Sequence, residues 1–78
     1  MKEKVKSFLE NFLENEIGIE REVILEENYL RSDMGLDSTE VVDVALALKK
    51  EYGVELDLKN DKKLSEIIEC TVKESKDE

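Results

Sequence analysis

Between Leu36 and Val41 the sequence changes its grammar. The stretch Asp37-Ser38-Thr39-Glu40 has the form of a capping box, in which the Asp37 side chain accepts from a first-turn amide and Glu40 reaches back from the third helical position. A helix beginning there has Val41, Val44, Ala45, Leu48 and Tyr52 on one face at spacings of three and four, with Gly53 as its stop. That stripe must be buried by something. The spacing of Val5, Phe8, Leu9, Phe12 and Leu13 predicts a first helix over 2–14, and Ile67, Ile68, Thr71 and Val72 give the inner face of a last one, with Ser65 as its N-cap.

Residues 15–36 lose the helical period and gather Glu16, Glu20, Glu22, Glu26 and Glu27. They read as a long loop anchored by Ile17, Val23, Leu25, Tyr29, Leu30 and Met34, with Gly18 and Gly35 free to adopt positive φ. Val54, Leu56 and Leu58 alternate like a strand but have no partner strand, so a loop is expected there, with Asp57 capping a short helical turn to Lys62. Lys2, Lys4 and Lys6 oppose the dipole of the first helix and should let its start fray; residues 73–78 form a charged, frayed tail. The expected fold is all-α: one domain over 1–78, a small three- to four-helix bundle with a long loop between its first two helices.

Composition narrows the function classes. The 78 residues hold one core, and 40% hydrophobic against 42% charged residues is surface-rich without being too apolar-poor to fold. A net charge of -9 repels nucleic acid and anionic membranes and favours basic protein partners. No apolar run approaches a membrane span, and no secretory leader precedes the first helix; a cytoplasmic monomer is expected. The one cysteine, Cys70, allows no internal disulfide and reads as a half-buried small hydrophobe.

No histidine is present, which removes the commonest general base and transition-metal ligand. Ser38 therefore lacks an obvious base of its own, and neither a Ser-Lys motif nor a Gly-rich oxyanion loop accompanies it. A serine in a first helical turn is nevertheless well placed to bear an anionic group, so it reads as a site modified by another enzyme. Asp33, Asp37 and Glu40 lack the spacing of an EF-hand and allow at most weak divalent binding at the surface. Thr39, Val42 and Leu46 make an apolar row beside the buried stripe, a candidate contact surface at the edge of an acidic helix.

The octet Asp33-Met34-Gly35-Leu36-Asp37-Ser38-Thr39-Glu40 resembles the attachment site of the acyl carrier protein family, approximately Asp-x-Gly-x-Asp-Ser-Leu-[Asp/Glu]. The flanks are similar too, with Ala45-Leu46-Ala47-Leu48, then Glu51-Tyr52, then Val54-Glu55-Leu56. The resemblance implies that Ser38 carries 4′-phosphopantetheine, transferred from coenzyme A by a Mg²⁺-dependent phosphopantetheinyl transferase, whose thiol holds acyl groups as thioesters. It implies a carrier rather than an enzyme. Asp37 would position the serine, Glu40 and Asp43 would meet Lys and Arg of acyl-loading, condensing and acyl-transfer enzymes, and Thr39, Val42 and Leu46 would supply apolar contact.

Fatty acid biosynthesis is the expected pathway. Thr39 in place of the family's leucine, and Lys49 and Lys50 where acids are common, keep a dedicated carrier for a polyketide, aminoacyl or specialised acyl unit as the alternative. Met1 opening directly into the first helix suggests a free-standing carrier. An acidic interaction module without a prosthetic group is the more distant reading.

Overall fold

The computed structural model describes residues 2–75. Three α-helices, α1 (Lys2–Phe12), α2 (Ser38–Tyr52) and α3 (Leu64–Glu74), surround one core. Among the described residues there is no strand, and the all-α expectation holds.

The first helix begins at Lys2 and does not simply stop where the apolar spacing ends. Its path widens into a π-helical turn, Leu13–Ile17, because Gly18 at φ 92° lets its own amide and that of Ile19 both reach back to the Leu13 carbonyl at 2.9 Å. A second short turn, the 3-10 helix Arg21–Val23, is held against α1 by Arg21, whose guanidinium meets Glu14 at 3.1 Å and Glu10 and Asn11 at 3.3 Å. Lys6, for which the sequence suggests no use, pairs with Glu26 at 2.8 Å and ties the loop to α1.

The loop anchors differ from expectation at two positions. Leu25 and Tyr29 are exposed, and Ile24 is buried in their place. The single-residue offset follows from the short turn before it, which rotates Ile24 inward and leaves Leu25 outside. Leu30, Met34 and Leu36 then join Val5, Leu9 and Leu13 of α1, Val41, Val44 and Leu48 of α2, and Leu64, Ile67 and Ile68 of α3. Phe8 sits edge-on to Tyr52 with ring centroids 5.7 Å apart, closing the α1–α2 contact.

The loop is stitched to the start of α3 by an antiparallel seam. The Ser65 amide donates to Glu26 O at 2.9 Å, Leu64 to Asn28 O at 3.0 Å, and Leu30 to Lys62 O at 3.0 Å, with Tyr29 and Lys63 facing each other as an isolated bridge. These bonds answer two needs at once, since they satisfy otherwise orphaned amides at the α3 N-terminus and backbone groups of the long loop. They also displace the expected cap. Lys63 occupies the N-cap position, its amide donating to Glu66 Oε1 at 2.9 Å, and Ser65 lies inside the helix.

No helical turn forms after Asp57; its carboxylate only accepts the Lys59 amide at 3.1 Å. Of the expected tail, Lys73 and Glu74 belong to α3, Ser75 is buried, and 76–78 lie outside the described residues. Cys70 faces solvent rather than the core.

Candidate functional site

The N-terminus of α2 is built as its sequence specifies. Asp37 is the N-cap, its Oδ1 accepting the Glu40 amide at 2.9 Å, while Glu40 Oε1 accepts the Asp37 amide at 3.1 Å. Gly35, at φ 82°, turns the chain into this cap with no heavy atom near the place a Cβ would occupy. Gly53, at φ 69°, ends the helix through its amide bond to Lys49 O at 2.9 Å.

Ser38 is the first residue of α2 and is exposed. The capping box uses the amides of Asp37 and Glu40, so those of Ser38 and Thr39 have no intrahelical acceptor and face the same end of the helix as the serine. Arg31 completes the setting. Its Nη2 donates to Ser38 Oγ at 2.6 Å, a contact across seven residues of sequence. Arg31 escapes a sequence reading that looks for bases and carboxylates; the available signal is a cation within an otherwise acidic loop.

The position of Arg31 is fixed by Asp61. One carboxylate oxygen accepts the Arg31 amide at 2.9 Å, and the other accepts the Ser32 amide at 3.0 Å and the Ser32 hydroxyl at 2.6 Å. Burial pushes the Asp61 carboxyl up, but the bonds from Ser32 and the two backbone amides, with the Arg31 charge, hold it below its ordinary value.

A groove of about 430 Å³ opens at Ser38 and Arg31. Val41, Val42, Ala45 and Leu46 of α2 form one wall, and Leu56 and Leu58 from the following loop, with Lys59, form the other. The alternation of Val54, Leu56 and Leu58 thus serves packing: Val54 is buried, while the two leucines lie half-buried against the groove.

Val42 and Leu46 are 54% and 53% exposed, so neither is a core residue. Thr39 and Asp43 are exposed beside them and Glu40 is half-buried by its capping role, which places all five expected contact residues on α2 next to Ser38. Val41, Val44 and Leu48 are core, as their spacing indicates; Ala45 and Tyr52 are only partly buried. Lys49 pairs with Glu55 at 2.8 Å, which leaves Lys50 as the cation at that end of α2 without an ion pair among the described residues.

Asp33, Asp37 and Glu40 do not cluster into a three-ligand metal centre. Among the described residues no three acidic, cysteine or histidine side chains converge, and these carboxylates accept backbone amides instead, Asp33 taking that of Tyr29 at 2.8 Å. A phosphate ester on Ser38, by contrast, fits the residues present: an exposed hydroxyl, free first-turn amides, a guanidinium in contact and an apolar groove alongside.

Comparison with known proteins agrees with this geometry. Residues 7–70 match the family model described as phosphopantetheine attachment site. The chain is 36% identical over 66 residues to an acyl carrier protein of Coprothermobacter proteolyticus, covering 85% of this chain and 77% of that one. It is 27% identical over 66 residues to an acyl carrier protein of Thermotoga maritima, covering 85% and 82%, and 39% identical over 49 residues to one of Saccharopolyspora erythraea, covering 63% and 52%. No described helix is long and apolar enough to cross a membrane. With its helical bundle, its capped serine and these relatives, the chain belongs to the acyl carrier protein family, whose prosthetic group is covalently attached 4′-phosphopantetheine.

Proposed function

We propose that Ser38 is the attachment point of the 4′-phosphopantetheine arm and that the chain, as a single cytoplasmic carrier domain, shuttles acyl groups between enzymes without catalysing their chemistry. The observation that carries this reading is the exposed Ser38 hydroxyl at a capped helix N-terminus, opening on an apolar groove. When bound, the arm supplies a thiol that holds acyl groups as thioesters. Arg31 donates to Ser38 and cannot act as its base, and the sequence has no histidine, so deprotonation falls to the transferase. In the loading step the Ser38 oxygen forms the new bond to phosphorus, the nucleotide part of coenzyme A leaves, and the hydroxyl proton passes to the transferase.

Asp37 then serves as more than a cap, since it holds the serine at the helix edge where the transferase must reach it. Glu40 and Asp43 offer acidic contacts to basic surfaces of loading, condensing and acyl-transfer enzymes. Thr39, Val42 and Leu46 offer a modest apolar patch. Charged contacts of this kind speed encounter and keep complexes short-lived, which suits a shuttle.

The pathway we favour is fatty acid biosynthesis. A dedicated carrier for a specialised acyl, polyketide or aminoacyl unit is favoured by two observations: Thr39 is exposed in the contact row, and Lys50, at the far end of α2, makes no ion pair among the described residues. Incubation with coenzyme A, Mg²⁺ and a broad-specificity transferase, read by intact mass, tests the attachment. Wild type should gain one phosphopantetheinyl group and Ser38→Ala none. A wild type that stays unmodified across several transferases would favour an acidic interaction module instead. Mass analysis of the species purified from its source identifies the acyl unit and decides between the pathways.

A further inference from the structure

The chain has a net charge of -9, yet the side chain set against Ser38 is a guanidinium. Arg31 makes no ion pair among the described residues, although Asp33 and Asp37 follow it two and six residues later. The neighbouring carboxylates are committed elsewhere. Asp33 accepts the Tyr29 amide, Asp37 and Glu40 cap α2, and Asp61 holds the backbone of Arg31 and Ser32. A guanidinium has five N–H donors and a full charge. Its hydrogen-bond partner here is one neutral hydroxyl, and although its charge is felt by Asp61 no carboxylate among the described residues contacts it directly.

We infer that Arg31 is the seat of the phosphodiester that joins the arm to Ser38, and so a residue that positions the arm. The inference rests on attachment at Ser38 as proposed above. Esterification replaces the hydroxyl proton by a phosphorus atom bearing two non-bridging oxygens that share one negative charge. Those oxygens lie one phosphorus away from Oγ, so a guanidinium already touching Oγ reaches them by a small side-chain rotation. The contact then changes from a bond to a neutral oxygen into a charge-assisted one, with a planar fork suited to two oxygens at once. The first-turn amides of Ser38 and Thr39 face the same anion.

The geometry also gives the seat a direction. Arg31 and Ser38 line the same groove as Val41, Val42, Leu46, Leu56 and Leu58. A phosphate held there starts the arm beside that apolar wall instead of out in solvent. Asp61 keeps Arg31 in place through the backbone, without neutralising the guanidinium in an ion pair.

The test uses the loaded protein. Wild type, Arg31→Gln and Arg31→Lys are treated with coenzyme A, Mg²⁺ and transferase, and intact mass establishes loading at Ser38. Phosphorus NMR of the phosphodiester is then recorded across a salt titration, and apo and holo forms are melted. The wild-type resonance should differ from that of Arg31→Gln and move toward it as the Debye length falls from ~10 Å to ~3 Å between 0.1 and 1 M salt. Arg31→Lys should lie between them. Attachment of the arm should raise the melting temperature of wild type by about 2–4 °C more than that of Arg31→Gln at low salt.

Loaded proteins with the same resonance and the same melting increment would overturn the role of Arg31 while leaving the carrier reading intact. A wild type that refuses the arm would overturn the attachment reading and this inference with it. Should Arg31→Gln fail to fold, a wild-type resonance insensitive to salt would still refute the seat.

Discussion

Asp37→Ala separates the structural work of the capping box from its proposed recognition role. The substitution removes the acceptor for the Glu40 amide, a bond of 2.9 Å, but leaves the residue-37 amide free to keep its 3.1 Å bond to Glu40 Oε1. One side-chain bond is therefore lost, not two. Replacing an N-cap acid by alanine costs about 0.5–2 kcal/mol, and the favourable position of a negative charge at a helix N-terminus adds about 0.3–1 kcal/mol at low salt. A combined loss of about 1–3 kcal/mol lowers the melting temperature of a domain this size by about 4–24 °C. Asp37→Asn keeps the acceptor and removes only the charge, so its loss should be about a third as large and should vanish in 1 M salt.

Urea denaturation of the apo proteins, followed by far-UV circular dichroism, reads both variants. A double cycle with Glu40→Ala reports the coupling, expected at about 0.5 kcal/mol or more for two side chains that share one capping box. Asp37→Ala melting within ~1 °C of wild type would refute the capping argument. So would Asp37→Asn as unstable as Asp37→Ala, because the charge alone would then account for the loss. A folded Asp37→Asn that resists arm transfer would place the defect in the encounter with the transferase.

The two leucines of α2 should part company: Leu48→Ala, at a fully buried position, should cost about 2–5 kcal/mol in urea, and Leu46→Ala, 53% exposed, less than ~0.5 kcal/mol, with equal effects refuting the assigned faces. Gly35→Ala meets no steric neighbour at φ 82°, so its cost should be backbone strain alone, about 1–2 kcal/mol; an unchanged or higher melting temperature would contradict the positive φ. The Asp61 carboxyl is held below its ordinary value, so its contribution to stability is complete above the usual aspartate range near ~4 and is lost as pH falls through the lower folded value. In an acid titration the Arg31 and Ser32 amide resonances should shift together with a midpoint below ~4, and a midpoint above it would refute the clamp. With a net charge of -9, Mg²⁺ or Ca²⁺ at constant ionic strength should raise the melting temperature through diffuse association, and an unchanged melt would sink that expectation.

What could be read in the sequence is what is decided locally. The capping box joins residues three apart, and the inward face of α2 depends only on helical period, so Asp37, Glu40, Val41, Val44 and Leu48 fall where their spacing puts them. Val42 and Leu46, the large apolar side chains of α2 off that face, are outside for the same reason. Readings failed where a tertiary bond outbid a local preference. Ser65 is a good N-cap residue, but the carbonyls of Glu26 and Asn28 already take the amides of Ser65 and Leu64, and the helix is capped two residues earlier, at Lys63. The same seam sets which loop residues turn inward, so Tyr29, paired with Lys63, stays outside while Leu30 is buried.

Arg31 shows the limit most clearly. Its contact with Ser38 depends on a turn between them and on Asp61, thirty residues further on, holding its backbone. Neither dependence leaves a periodic trace. Lys6 is similar: alone at the start of α1 it looks misplaced, and only the approach of Glu26 gives it a partner.

The antiparallel seam between the loop and the start of α3 has a kinetic consequence. It joins segments more than thirty residues apart, with α2 lying wholly inside the enclosed stretch. Closing such a loop is entropically opposed until the helices have collapsed, whereas the bonds of α2 and its cap are all local and are sampled in microseconds or less, though a helix of this length is marginal until it packs. The order of events expected from this is that Ser38 samples its helix and its cap early, and meets Arg31 only when the last helix docks and Asp61 closes on the loop. An immature chain would thus display the serine without its cation, and only the finished fold would present both.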